Sequence, residues 1–230
     1  MGVLQFEGVG AITLYQDDDM VAINKPEGIA TIPGYAKEPS LLDILAAHYP
    51  HKLFVVHRLD KDVSGVMLFA KNAGAHRYLN DQFSARTVSK TYVAVVHGRC
   101  ERDGGVIDKP LRPFSSGRMG IDERRGKPSL TRFQVIERLP LHSVLAVWPE
   151  TGRRHQIRVH CYSIGHPIAG DARYGDKALQ ARYPRLMLHA RSLVVRSPTG
   201  AEIALQAPLP PSFERVLATL RDAALAVQSS

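Results

Sequence analysis

The sequence predicts a mixed α+β fold in one domain, with strands outnumbering helices. Three observations carry this. Apolar runs such as residues 20–24 and 66–70 are short and bounded by Pro, Gly or charged turns, as buried strands are. Residues 90–96 alternate and are rich in Val and Tyr, and only a few segments place apolar residues at helical spacing. No repeat or low-complexity linker divides the 230 residues, a length that buries roughly seven-tenths of its unfolded surface.

In order, the strand at residues 20–24 is stopped by Pro26 and Gly28, and Ile32-Pro33-Gly34 is a turn. Ser40 is the N-cap of a short helix through His48, with Asp43 in the capping-box position. Val55-Val56 then leads into a charged cluster, His57-Arg58-Leu59-Asp60-Lys61-Asp62, and Ser64-Gly65 turns the chain into the strand at 66–70. A carboxylate held between two apolar runs needs a cationic partner, or its pKa rises. Ala75, Leu79, Gln82 and Phe83 form one stripe of a helix, and the strand at 90–96 follows. Residues 98–128 hold six Arg and two Lys with little periodicity, so they read as long loops around short strands. Those cations are either a solvated loop or a contact zone for backbone phosphates, since interspersed acids blunt the positive field.

Residues 131–136 and 143–147 are two strands joined by a turn at Pro140. Ile157, Cys161 and Ile164 share one face of a helix, which Gly165 and Pro167 end. The glycine turn Thr151-Gly152-Arg153-Arg154 opens that helix, so its first N–H groups face an anion in this reading. Residues 186–195 and 203–205 are late strands. Ser212 caps a last helix, about 212–227, that buries Phe213, Val216, Leu217, Leu220, Ala224 and Val227.

Lys plus Arg total 30 against 22 for Asp plus Glu, a formal charge of +8, which favours polyanions. The only cysteines, Cys100 and Cys161, form no CxxC pair, which argues against a thiolate zinc site and a disulfide framework and fits a reducing cytoplasm. Residues 1–6 do not read as a secretory signal, and no apolar stretch approaches the ~20 residues that span a bilayer. There is no phosphate-binding P-loop, no dinucleotide fingerprint and no hydrolase nucleophile elbow around Ser64. His155 and His160, five apart, fall on different helical faces and make poor metal co-ligands. What survives is a metal-free set: Asp60 in a tight turn, Tyr92 on a strand and Arg158 near a helix start. Each also has a structural reading, as salt-bridge partner, core aromatic and surface cation.

His57-Arg58-Leu59-Asp60 followed by Ser64-Gly65 resembles the signature of the RluA-type RNA pseudouridine synthases, the ribosomal large-subunit synthase A branch. Lys90-Thr91-Tyr92 resembles a second motif of that family, and Thr151-Gly152-Arg153-Arg154-His155-Gln156-Ile157-Arg158-Val159-His160 a third. Asn24-Lys25-Pro26-Glu27-Gly28, Gly165-His166-Pro167-Ile168, Gly170-Asp171, Tyr174-Gly175 and Arg185-Leu186-Met187-Leu188-His189-Ala190 also match, in the family's order, over roughly residues 15 to 207. The resemblance implies one catalytic domain, residues 1–230, with its core at about 12–210. It implies a mostly antiparallel bent sheet flanked by helices and loops, with an active-site cleft across the middle. The strand at Met20 begins too early to leave room for the S4 domain many relatives carry.

The roles implied by resemblance are as follows. Asp60 is the catalytic carboxylate, which attacks the uridine or deprotonates its sugar. Tyr92 stacks on the uracil and takes the C5 proton. Arg158 pairs with the aspartate, and Arg58 fills the gap left by the flipped base. His57, Lys90, Arg153, Arg154, His155 and Gln156 contact RNA or assist flipping, while Leu59 and Leu188 wall the site. The implied partner is ribosomal RNA of the 23S type or transfer RNA stem-loops. No membrane, obligatory protein partner, metal or cofactor is implied. A non-catalytic RNA-binding module and a metal-dependent nuclease are the competing readings; the first need not keep Asp60, Tyr92 and Arg158, and the second lacks a ligand cluster.

Overall fold

The computed structural model describes residues 8–34 and 38–228. The signal-peptide reading of residues 1–6 and the side chain of Val227 lie outside the described residues. In chain order the elements are α1 (Val9–Ile12), β1 (Thr13–Gln16), β2 (Met20–Lys25), α2 (Leu41–His48), β3 (Phe54–Val55), β4 (Ser64–Ala70), α3 (Ala73–Ala85) and β5 (Ser89–His97). They continue with β6 (Gly104–Asp108), β7 (Leu111–Pro113), β8 (Met119–Ile121), β9 (Leu130–Arg138), β10 (His142–Pro149), α4 (Gln156–Ser163), α5 (Lys177–Gln180), β11 (Leu188–Arg196), β12 (Glu202–Gln206) and α6 (Pro211–Gln228). The fold is a mostly antiparallel sheet flanked by helices, and the long basic stretch holds only the short strands β6, β7 and β8. The chain forms two compact units, residues 1–89 with 191–208, and residues 90–190 with 209–230.

In the first unit β2 pairs antiparallel with β1 on one side and β4 on the other, and β12 pairs with β11. Every residue of β4 is buried, so the apolar run after Ser64-Gly65 is indeed a core strand. Gly65 sits at φ +116°, a conformation only glycine takes without strain, and lets the strand start directly from the charged turn. The core gathers Met20, Ala22, Val66, Leu68, Ala75, Leu79 and Leu193. The capping box of α2 forms as the sequence implies: Ser40 Oγ accepts from Asp43 N–H, and the Asp43 carboxylate accepts from Ser40 N–H.

In the second unit the strand order is β5-β10-β9-β6, all antiparallel, with β7 and β8 as a separate hairpin. Two expectations change here. Helix α6 starts at Pro211, so Ser212 lies inside it rather than capping it; its Oγ accepts from Arg185 Nη1 at 2.9 Å. Proline suits a first helical position because its missing N–H would have no intrahelical partner there. Helix α4 was expected to bury one stripe, yet Gln156 through Cys161 are all buried. Its polar side chains are inside because each finds a partner: Thr131 for Gln156 and His160, and Asp171 for Arg158.

Burial and the neighbouring His97 push His142 down to about 4; its Nε2 lies 2.6 Å from Tyr183 Oη. The folded state therefore holds fewer protons at this site than the unfolded chain, where histidine titrates near 6.5. Its effect is nil above that pH and grows as pH falls toward 4, where it costs on the order of 3 kcal/mol. Melting temperature measured between pH 7.5 and 4.5 should fall on acidification, and His142→Gln should blunt the fall. Parallel curves for both proteins would contradict this origin.

Candidate functional site

The charged cluster is anchored at every third or fourth residue. Val56, Leu59 and Val63 are buried, whereas Arg58 is exposed and Asp60 half-buried. An apolar residue on either side thus pins the backbone and leaves the polar residues toward the surface. Val63 N–H donates to Asp60 O at 3.1 Å and closes the turn before β4.

Two side chains far away in sequence hold this turn. Buried Thr31 donates its hydroxyl to Leu59 O at 2.9 Å and accepts from Leu59 N–H at 3.2 Å, replacing a strand partner for one residue. Lys25, fully buried, donates from Nζ to Pro26 O and Ile29 O at 2.8 Å and to Lys61 O at 3.0 Å. Gly28 N–H reaches the same Lys61 carbonyl at 2.9 Å. The early turn Asn24–Gly28 and Thr31 are therefore the floor on which Leu59, Asp60 and Lys61 rest. The sequence matched that turn to a motif but gave Lys25 no task and did not single out Thr31. Thr31→Val keeps the shape and strips both bonds from a buried backbone, which should cost about 2 kcal/mol. Chemical denaturation measures it, and an unchanged midpoint would contradict the clamp.

His57, expected to contact RNA, has much of its capacity spent within the first unit. Its Nε2 accepts the Leu68 N–H at 3.0 Å and its ring stacks on Phe83 with centroids 4.9 Å apart. The imidazole takes up the Leu68 N–H of β4 just where β3 leaves off, since β3 pairs only at Val55 and Phe54.

In the second unit Tyr92 lies on β5 opposite Val147 of β10 and is half-buried, as is Lys90. Leu188 opens β11 and, like Leu59, is buried. Arg158 projects from α4 and is 4% exposed. Its Nε and Nη2 each donate to one oxygen of Asp171 at 2.7 Å, a fork of two parallel charge-assisted bonds. Asp171 thus holds the arginine by an edge, although the sequence reading gave this carboxylate no role. The Arg158 guanidinium carbon also lies 5.3 Å from the centre of the buried Tyr174 ring. Tyr174 Oη in turn meets Met119 N–H at 3.1 Å and His155 Nδ1 at 2.9 Å, which ties the β7–β8 hairpin to α4.

The other expected RNA contacts divide. Arg154 is exposed, and its guanidinium reaches Gly117 O on the hairpin. Arg153 is half-buried, and its N–H donates to Gln156 Oε1 at 3.0 Å. Gln156, also expected to contact RNA, is turned inward. It is buried, its Oε1 also accepts from Thr151 Oγ at 2.6 Å, and its Nε2 donates to Leu130 O and Thr131 Oγ1. These hydrogen bonds of its amide group are internal, and they brace the Thr151–Gln156 turn. The helix start is likewise closed at its first amide, where Gln156 N–H donates to Arg153 O at 3.1 Å. In the basic stretch Arg112 pairs with Asp122 at 2.8 Å, while Arg99, Arg102, Arg118, Arg124 and Arg125 are exposed. Among the described residues no group of three or more His, Cys, Asp or Glu could hold a metal ion, and no helix is long and apolar enough to cross a membrane.

A family model described as RNA pseudouridylate synthase matches residues 19–163. The ribosomal large subunit pseudouridine synthase C of Haemophilus ducreyi is 41% identical over 219 residues, covering 90% of this chain and 68% of that protein. Synthase D of Nitrosomonas europaea is 37% identical over 234 residues, covering 95% of this chain and 67% of its own. The solved structure of human RNA pseudouridylate synthase domain containing 4 superposes with a TM-score of 0.78 at 28% identity, covering 93% of this chain and 94% of that one. Human RNA pseudouridylate synthase domain containing 1 gives 0.76 at 29%, covering 91% and 94%. With its antiparallel sheet and its ordered motifs, the chain belongs to the RNA pseudouridylate synthase family of RluA type, isomerases that act on RNA.

Proposed function

We propose that this protein isomerises uridine in structured ribosomal RNA to pseudouridine, with Asp60 as the essential carboxylate and Tyr92 and Arg158 acting on the same nucleotide. The observation that carries the reading is the family match across residues 19–163, which takes in all three positions within their motifs. The named relatives are C and D synthases of the large ribosomal subunit, so the substrate proposed is ribosomal RNA rather than one tied to the A branch. It works in the cytoplasm as one catalytic domain, with no obligatory protein partner.

The chemistry is self-contained. The N1–C1′ bond breaks, the ring turns, C5 bonds to C1′, the C5 proton leaves and N1 gains one. No redox equivalent or phosphate is consumed, so the reaction demands neither a nucleotide cofactor nor a metal. A base inside a stack must first be extruded, at a few kcal/mol. Stacking on Tyr92 returns ~1–3 kcal/mol. Exposed Arg58, one residue from the anchored Leu59, fills the vacancy, and the exposed cations of the basic stretch bind phosphate.

The test is a map of modified uridines in ribosomal and transfer RNA from cells with and without the gene. The proposal requires a ribosomal uridine modified only when the gene is present. Loss confined to transfer RNA would replace the substrate, and identical maps would overturn the function.

A further inference from the structure

We infer that Asp171 is a positioning residue for the isomerisation, fixing the plane and direction of the Arg158 guanidinium. The inference rests on Arg158 acting in the reaction as proposed above. Both side chains are buried, at 4% and 0% exposure. The fork takes the Nε–Nη2 edge of Arg158, so the direction of the third nitrogen is set by Asp171. Turning the guanidinium would break two charge-assisted bonds at once in a site without solvent to replace them.

Asp171 is itself immobilised on every side. Oδ1 also accepts from Arg173 N–H at 2.9 Å and Tyr174 N–H at 3.1 Å, so the carboxylate is locked to its own loop. Its backbone N–H donates to Gln180 Oε1 at 3.1 Å, and that oxygen also lies 3.2 Å from His97 Nε2 on β5. The preceding Gly170, at φ +76°, passes so close to Arg185 that a Cβ would lie 1.8 Å from its carbonyl oxygen. Only glycine permits that approach, which delivers Asp171 beneath α4. The Tyr174 ring packs on the same guanidinium. A buried ion pair is weak evidence for stability, since desolvation offsets attraction. So much anchoring of one carboxylate fits the demand for geometry better, because a reacting group displaced by ~1 Å loses about 10²-fold in rate.

The experiment measures single-turnover tritium release from [5-³H]uridine-labelled ribosomal RNA, RNA affinity and melting temperature. It uses wild type, Asp171→Asn, Arg158→Lys and the double variant. Asp171→Asn is expected to slow release about 10²-fold while the Kd for RNA stays within about twofold. The double variant should be no slower than Arg158→Lys alone, because lysine has no fork to hold. Losses that multiply, an Asp171→Asn protein at wild-type rate, or a fall in affinity matching the fall in rate would overturn the inference. Should Asp171→Asn fail to fold, Asp171→Glu keeps the charge and shifts it by one methylene. Slower release by that variant at an unchanged melting temperature supports positioning, and an unchanged rate overturns it. Wild type that releases no tritium, or Arg158→Lys at full rate, would instead sink the proposed function or the part it gives Arg158.

Discussion

Lys25→Met is expected to lower the unfolding free energy by about 3 kcal/mol. The side chain is fully buried, and its ammonium donates to the carbonyls of Pro26, Ile29 and Lys61. Hydrogen bonds to a charged group contribute roughly 1.5–3 kcal/mol each, and the cost of burying the ammonium cancels part of their sum. Methionine has nearly the same volume, so no cavity confuses the measurement. Its thioether cannot donate, so all three carbonyls lose this partner, and that of the buried Ile29 loses it inside the core. The effect reaches function because Lys61 O belongs to the turn that carries Asp60, and Gly28 N–H alone would remain on it. Urea unfolding followed by circular dichroism measures the loss. A midpoint equal to wild type would contradict the view that Lys25 holds the early turn against the Asp60 turn.

Local signals made much of the fold legible. Strand β2, the capping box of α2, the alternation of β5 and the buried run of β4 are each written within a dozen residues. What escaped depends on partners distant in the chain. Helix α4 carries Gln156, Arg158 and His160, which look like a polar face until Thr131, Asp171 and Lys109 are brought to them from 13 to 51 residues away. Thr31 is an unremarked residue in a turn until Leu59, 28 positions on, lies against its hydroxyl. The division into two units leaves little mark in composition. Two of its three boundaries fall after Ser89 and Ala190, inside β5 and β11, where strand residues replace any linker, and the third follows Pro208 in the proline-rich stretch between β12 and α6.

The candidate site was legible in a different way. Asp60, Tyr92 and Arg158 were picked out by resemblance in ordered motifs, since each alone has an ordinary structural explanation. The structure adds what the motifs do not say. Arg158 is forked by Asp171, and Asp60 stands on a turn clamped by Thr31 and Lys25. His57 and Gln156, which stand in those motifs, also hydrogen-bond to the scaffold, so part of what the motifs record is a requirement of the fold.

The most direct measurement is the rate of tritium release from [5-³H]uridine-labelled ribosomal RNA under single-turnover conditions, for wild type and Asp60→Asn. Asparagine has the same shape but no charge, so it can neither attack carbon nor take a proton. The rate should fall by at least about 10³-fold, as when a nucleophile is removed, while RNA affinity and melting temperature stay near those of wild type. Comparable release by the two proteins would contradict the assignment of the reaction to this carboxylate.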